Sequence, residues 1–565
     1  MKNDNNYDAI VIGSGISGGW AAKEFCEKGL KTLVLERGRD VKHIKDYPTA
    51  YQDPWQLGNN NQLTLKEQKE NPIASKCYAN KEDAKHFFTP DDVQPYIQEQ
   101  PFDWIRGYQV GGKSLTWAKQ TQRWSPYDFE GPARDGFAVD WPIRYADIAP
   151  WYSYVEKFVG ISGNLDGIEA MPDGEFLPPW EMNQVELEIQ RRIHNSYPDR
   201  KVIAGRCAHL TKPKQIHIDQ GRGACQARNL CQRGCPFGGY FSSNASTLPW
   251  AQKTGKLTLR PHAVVDSIIY DDQLGKAIGV RVIDAETNKS MEFYAKVIFV
   301  NASAIATNQI LLNSISDRFP QGIGNDSGVL GKYIAFHNYL GSISASYEGF
   351  EDSYYYGRRP TQPIIPNFRN VAKQEMDFLR GYASFFGASR GRSSASQLAM
   401  QVGGDYKDQL STLGDWHVGM MMQGETIPQE KNHIRLSTDR KDRYGVPLVI
   451  TAIAYDENDF KSRDDFFQQG AEMLEAGGAK NISTHNSGQN PGLDIHEMGG
   501  ARMGLDPKTS ILNKWNQMHH CTNVFVTDGA SMVSTGTQNP SLTYMALTAR
   551  AVTYAVEQMK KGNIK

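Results

Sequence analysis

The sequence predicts an α/β protein in two lobes, one built on a parallel sheet and the other of mixed α+β character. Three observations carry this. A strand–turn–helix–strand unit opens the chain. Buried-strand signals return at Lys296–Asn301 (K-V-I-F-V-N) and Val524–Gly529 (V-F-V-T-D-G), and residues 340–490 interleave strand, loop and helix patterns. At 565 residues the chain exceeds what one core organises, so at least two lobes are expected.

Tyr7–Ile12 (Y-D-A-I-V-I) is the β-branched apolar run of a buried parallel strand. It enters Gly13-Ser14-Gly15-Ile16-Ser17-Gly18, then a helical pattern over Gly19–Lys28 that Gly29 ends. Lys31–Leu35 is a second strand, followed by Glu36. The result is a βαβ unit of about 30 residues with an acid roughly 20 residues past the glycines. Gly13 permits the tight turn, Gly15 lets backbone approach a pyrophosphate, and Gly18 permits close helix–strand packing. Free N–H groups at the helix start face the phosphates. Glu36 would accept hydrogen bonds from a ribose and repel a 2′-phosphate. A structural turn is the alternative, but both strands, the helix and Glu36 stand in register for dinucleotide binding. The unit alone does not separate FAD from NAD.

Residues 40–100 are polar and punctuated by proline, which predicts an excursion over the surface. Val110–Trp117 (V-G-G-K-S-L-T-W) is a second Gly-containing turn, expected to open a helix. Leu257–Ile269 and Ala277–Ile283 read as a hairpin, and Ala302–Leu312 as a helix. The middle block holds aromatic and Gly/Ser-rich patches at Tyr354–Tyr356 and Gly387–Ser396; the tyrosines read as loop aromatics, with stacking on a sugar face as the functional alternative. The final helix runs from Ser541 to Lys560.

Apolar residues at 39% and charged residues at 22% are ordinary for a soluble globular protein. A net charge of −1 gives no reason to expect nucleic acid or an acidic membrane as partner. No apolar run is long enough to cross a bilayer. The first strand begins so early that no signal peptide is expected.

His496 opens H-E-M-G-G-A-R-M-G, and Asn539 opens N-P-S-L-T-Y-M-A at the head of the final helix. Histidine is the side chain whose ordinary pKa suits a base at neutral pH, and an amide can orient a hydroxyl. A lone histidine in a turn is more often a satisfied loop residue. His337, in A-F-H-N-Y, is a second pocket candidate balanced against a structural role. Of seven cysteines, Cys26, Cys77, Cys207 and Cys521 are scattered and read as buried small hydrophobes. Cys225, Cys231 and Cys235 form C-x5-C-x3-C in a Gly- and Arg-rich loop, a pattern suited to a soft metal centre. Zinc would need a fourth ligand from Cys207, His209 or His217, and a disulfide would leave one free thiol.

Four segments resemble the glucose–methanol–choline (GMC) flavoprotein oxidoreductases: G-S-G-I-S-G, V-G-G-K-S-L-T-W, V-N-A-S-A-I-A-T-N-Q-I-L-L, and the H-E-M-G-G-A-R-M-G…N-P-S-L-T pair. They occur in the family's order across nearly the whole chain, with wording nearest the bacterial sugar dehydrogenases, the catalytic subunit of glucoside 3-dehydrogenases above all. The resemblance implies FAD. It also implies an FAD lobe assembled from residues 1–45, 105–135, 200–335 and 490–565, with the cysteine cluster 225–235 as an insertion. Residues 46–104, 136–199 and 336–489 would supply the substrate lobe and surface excursions.

By family position, Gly13, Gly15, Gly18 and Glu36 would bind the ADP half, and Gly111, Gly112, Ser114 and Trp117 would line the pyrophosphate and flavin. Val264 would contact adenine through its backbone. Asp528, Gly529 and Ala530 would meet the ribityl–phosphate region, with Asn539 and Pro540 at the isoalloxazine edge. Some relatives attach flavin through a histidine after the Gly-Gly turn; here S-L-T-W-A-K has none, so non-covalent FAD is expected. His496 would be the base and Asn539 the group orienting the hydroxyl. The helix starting near Ser541 would point its positive end at the flavin.

The C-x5-C-x3-C spacing is similar to the 3Fe-4S site of bacterial FAD glucose dehydrogenases. The resemblance therefore implies electron exit through such a cluster to a cytochrome c or other external acceptor. The expected reaction is oxidation of a secondary hydroxyl of glucose or a glucoside, C3 favoured, giving a keto sugar. The alternatives are aldose C1 oxidation, gluconate or sorbitol oxidation, an oxygen-using sugar oxidase, and, furthest, a non-enzymatic binding module. Relatives are exported by a small chaperone-like subunit bearing a twin-arginine signal, so a periplasmic location by partner-mediated export is expected, with the cytoplasm as alternative.

Overall fold

The computed structural model describes residues 5–353, 361–392 and 402–564. Tyr354–Tyr356 and residues 393–396 lie outside the described residues.

The first lobe is organised by β1 (Asn6–Ile12), α1 (Ile16–Glu27) and β2 (Thr32–Leu35). β1 is central: Ile10 pairs in parallel with Leu33 on one side and Ile298 on the other. Leu257–Arg260 extends the sheet beyond β2, and Val524–Val526 pairs in parallel with the end of Ser290–Val300. The continuous apolar run of β1 follows from burial on both faces. Ala9 and Val11 join a cluster with Phe25, Phe299 and Phe525, while Ile10 and Ile12 join a larger one with Trp124, Trp141 and Met545. The final helix, Ser541–Lys560, contributes Leu542 and Met545 to the second cluster and Ala551 and Val552 to the first.

The helix of the βαβ unit begins at Ile16, three residues before the expected Gly19, because Gly15 already serves as its N-cap. The expected hairpin over Leu257–Ile283 divides differently. Pro261, which lacks an N–H, and His262 at φ 55° break the run, so Leu257–Arg260 joins the parallel sheet. Ala263–Asp271, Lys276–Asp284 and Ser290–Val300 then form an antiparallel meander. The turn at Val110–Trp117 opens only one 3₁₀ turn, Gly112–Leu115.

The second lobe carries an antiparallel sheet ordered Ile364–Ile365, Tyr382–Arg392, Leu413–Glu425, Gly341–Tyr347, Lys480–Asn486, with His337–Asn338 paired onto Leu413–Glu425. Its two faces differ with the period of two. Phe386, Met420 and Met422 pack against Phe466 and Met473 of the helix Glu457–Ala476, whereas Phe385 and Met421 face a cavity between the lobes.

The 40–100 segment is not only a surface excursion. Tyr47, Ala50, Cys77 and Phe87 are buried, whereas Tyr51, Trp55 and Leu65 are exposed, and Lys76–Ala79 and Phe88 wall the inter-lobe cavity. Many polar residues between these anchors face water, although Asn80, Asp83 and Gln94 are buried, and the polar composition alone reads as a loop.

Candidate active site

The cavity has a volume of about 720 Å³, within the range of cofactor sites, and both lobes line it. Gly13 adopts φ 94°, and a Cβ there would lie 2.3 Å from the Asn301 carbonyl oxygen. A Cβ on Gly18 would meet the Gly13 carbonyl oxygen at 1.9 Å. Gly15 has open space instead, facing the cavity. Two of these glycines thus hold the turn closed, and the third leaves room for a ligand. Gly111, at φ 91°, and Gly112, at φ 51°, form the second turn, with the Gly112 Cβ position 3.3 Å from Gly15 Cα.

Glu36 is buried at the cavity wall. Its carboxylate accepts from Ser14 N–H at 3.2 Å, Ser14 Oγ–H at 2.5 Å and Gly38 N–H at 2.9 Å. Burial raises its pKa, and these donors oppose the rise. Ser114 donates from Oγ to the Gly111 carbonyl at 2.5 Å, and Trp117 donates from Nε1 to the Phe241 carbonyl at 3.0 Å. Asp528 accepts from Thr307 Oγ at 2.6 Å, and burial pushes its pKa up to about 6. Asp528 and Gly529 line the cavity, with Ala530 buried behind them. Val264 is buried in its strand, and its neighbours Ala263 and Val265 line the cavity in its place; Pro540 N-caps the final helix, whose Ser541 and Tyr544 also line it.

His496 and Asn539 meet at the cavity wall, with His496 Nε2 3.3 Å from Asn539 Nδ2. His496 Nδ1 lies 2.8 Å from His337 Nδ1, and His337 Nε2 lies 3.1 Å from the Gly536 carbonyl oxygen. Ile495, just before His496, sits at φ 64°, a strained position for a β-branched residue. The Asp494 carboxylate spans this bend, accepting N–H bonds from Gly492 (3.1 Å), His337 (2.9 Å) and His496 (3.2 Å). Asn539 is oriented by Gln423, whose Nε2 donates to Asn539 Oδ1 at 3.4 Å, and by Gln122, which accepts the Asn539 N–H at 3.2 Å. Tyr339 donates to Gln423 in turn. Burial, then the charges of His337 and Lys113, keeps the His496 pKa well below 6.5; burial takes His337 to about 4.

Sequence reading missed Asp494, Gln423 and Gln122. Asp494 had a local signal, an Asp two residues before a histidine in a Gly-bounded turn. Gln423 and Gln122 had none, since they reach Asn539 only through the fold.

Two buried polar atoms at the cavity wall, Asn301 Nδ2 and Glu497 Oε1, have no protein partner. With the open Gly15 cradle they fit a ligand that both donates and accepts hydrogen bonds along its length, as FAD does.

Cys225, Cys231 and Cys235 are free and half-buried, and Cys231 reaches the cavity wall. Their sulfurs do not gather around one point. Among the described residues, the one set of three metal-ligand groups within 4.8 Å of one another is His337, Asp494 and His496. A single zinc ion, with Zn–S bonds of about 2.3 Å, needs closer convergence of the thiols. The surroundings are cationic. Lys119 is buried, with Nζ 3.3 Å from the Cys231 carbonyl oxygen and 4.3 Å from the Tyr240 ring centre. Arg222 is buried against backbone carbonyls of Gly238 and Val159. Burial lowers both pKa values, Arg222 to about 9, and the groups opposing this are thiols: Cys231, Cys235 and Cys207 for Lys119, and Cys235 for Arg222.

A dinucleotide-type glycine turn and a His–Asn pair line one cavity between the lobes. The chain belongs to the GMC oxidoreductases, which act on CH–OH donors: the family's N-terminal model matches residues 7–337 and its C-terminal model residues 428–548. It is 28% identical to 2-methyl-1,2-propanediol dehydrogenase of Mycolicibacterium austroafricanum, covering 97% of this chain and 94% of that protein. It is 26% identical to the fructose dehydrogenase large subunit of Gluconobacter japonicus, over the full length of both. Pyridoxine 4-oxidase from Mesorbium loti shares the fold, with a TM-score of 0.60 at 15% identity, covering 97% of this chain and 99% of that one.

Proposed function

We propose that the protein is an FAD-dependent dehydrogenase that oxidises a secondary hydroxyl of glucose or a glucoside, at C3, to a keto sugar. The observation that carries this reading is His496 Nε2 beside Asn539 Nδ2 at the wall of the glycine-cradled cavity. Bound FAD supplies a hydride acceptor. Gly13, Gly15, Gly18 and Glu36 hold its ADP half non-covalently. Gly111, Gly112, Ser114, Trp117, Asp528 and Gly529 hold the remainder. Asn539 Nδ2 donates to the substrate oxygen and fixes the hydroxyl, and His496 Nε2 takes its proton. Polar groups of the second lobe that line the cavity, Tyr339 and Gln362 among them, suit a polyhydroxylated substrate.

The three cysteines serve in this reading as ligands of a 3Fe-4S cluster that passes electrons to an external acceptor such as a cytochrome c. Support comes from Lys119 and Arg222. Two buried cations are costly without nearby negative charge, and thiolates on an iron–sulfur centre supply it. The large-subunit name of the fructose dehydrogenase relative supports a multi-subunit assembly. A small twin-arginine subunit would then carry the complex to the periplasm.

Turnover of methyl glucoside with an artificial acceptor, followed by NMR of the product, tests the reaction. A 3-keto glucoside is expected. Failure to oxidise methyl glucoside while glucose is consumed would replace C3 by C1 oxidation. Anaerobically prepared protein should contain iron and acid-labile sulfide, and their absence after reconstitution would remove the cluster.

A further inference from the structure

His337 and His496 meet where two paired segments end. Lys332–Ala335 and Met498–Gly500 pair antiparallel, with Ala335 opposite Met498. Just beyond that ladder the Asp494 carboxylate accepts from both the His337 and the His496 N–H groups, and the two rings face each other at 2.8 Å between their Nδ1 atoms.

The hydrogen-bond partners leave one self-consistent arrangement of protons. The Gly536 carbonyl can only accept, so His337 Nε2, 3.1 Å away, carries a hydrogen. A neutral His337 then has its lone pair on Nδ1. Among the described residues, the one hydrogen-bond partner of that nitrogen is His496 Nδ1. The Nδ1–Nδ1 distance of 2.8 Å requires one hydrogen between the rings, and it must belong to His496 Nδ1. His496 Nε2 is left with its lone pair, pointing at Asn539 Nδ2.

We propose that His337 is the positioning residue that fixes the tautomer of His496, keeping the lone pair on Nε2 where the substrate hydroxyl gives up its proton. The inference rests on His496 being the base. When the hydroxyl proton moves to Nε2, the Nδ1–H stays on His496 and remains donated to His337, so no proton leaves the pair. The opposite tautomer would put a hydrogen on Nε2 and make it useless as a base, as a misplaced tautomer does in histidine-dependent hydrolysis.

Three variants separate the possibilities, each assayed for bound flavin and for turnover of its best alcohol donor. His337→Leu removes the acceptor and should lower kcat about 100-fold with KM changed by about two-fold or less. His337→Asn presents Oδ1 near the former Nδ1 and should recover kcat to within about 10-fold of the native protein. A packing role predicts the reverse order, with Leu tolerated and Asn not, and that order would overturn the proposal. Wild-type turnover by His337→Leu would overturn it as well. Activity retained in His496→Gln would overturn the base assignment instead. Should His337→Leu fail to fold, imidazole ¹⁵N spectra of the native protein decide: His496 protonated at Nδ1 supports the proposal, and protonation at Nε2 refutes it.

Discussion

At His496 two opposing demands meet. The base proposed for His496 must accept a proton, yet burial keeps the His496 pKa well below 6.5, aided by His337 and Lys113. Asp494 does little to reverse this in acid, because burial pushes its own pKa up to about 7 and its carboxyl is committed to three backbone N–H groups. A depressed histidine pKa keeps the ring neutral, and the base available, as pH falls through 6.5 and beyond. The acid limb of the kcat/KM–pH profile should therefore lie clearly below 6.5, and a limb at or above that value would exclude His496 as the titrating base. His496→Gln should lower kcat/KM by about 10²–10⁴-fold while leaving bound flavin in place. Asn539→Ala should act on the same step by releasing the hydroxyl, with a smaller loss of kcat, measured in the same assay.

The Gly-rich turn separates two kinds of glycine, and substitution can tell them apart. Gly18→Ala places a methyl 1.9 Å from the Gly13 carbonyl oxygen, so α1 must move away from β1. Low soluble yield and a reduced melting temperature are expected. Gly15→Ala meets no protein atom within 4 Å, so the fold should survive while flavin binding weakens; a yellow, fully loaded Gly15→Ala protein would refute the cradle. This unit was legible in the sequence because all its determinants are local: a strand run, three glycines, a helix and an acid within one short stretch. The sequence alone did not place His496 beside Asn539; they were paired by family position, and the structure brings them to 3.3 Å. What stayed hidden depends on pairings between distant segments. Gln423 reaches Asn539 because Leu413–Glu425 turns Met421 and Gln423 to one face, and nothing near residue 423 announces which face. The strand Leu257–Arg260 was merged with its neighbour because its partner, β2, lies far back in the chain. The buried anchors of residues 40–100 were obscured by the polar residues that surround them.

Over the whole molecule, the cavity is where the two lobes meet. Its walls draw on Ile12, Glu36 and Asn301 from the first lobe, Tyr339, Phe385 and Met421 from the second, and Lys76–Ala79 from the intervening segment. Among the described residues no helix is long and apolar enough to cross a membrane. A ligand that binds the folded state alone stabilises it by RT ln(1 + [L]/Kd), about 2.7 kcal/mol at a hundredfold excess over Kd. FAD bridging both lobes should therefore raise the melting temperature of deflavinated protein by several degrees, increasing with FAD concentration. Because residues of both sheets line the site, near-ultraviolet signals from both lobes should shift to the higher temperature together. Gly15→Ala should show little of this response while melting near the native apoprotein. If FAD leaves the melting temperature unchanged, or protects only one of two separable transitions, the cavity is not the element that joins the lobes.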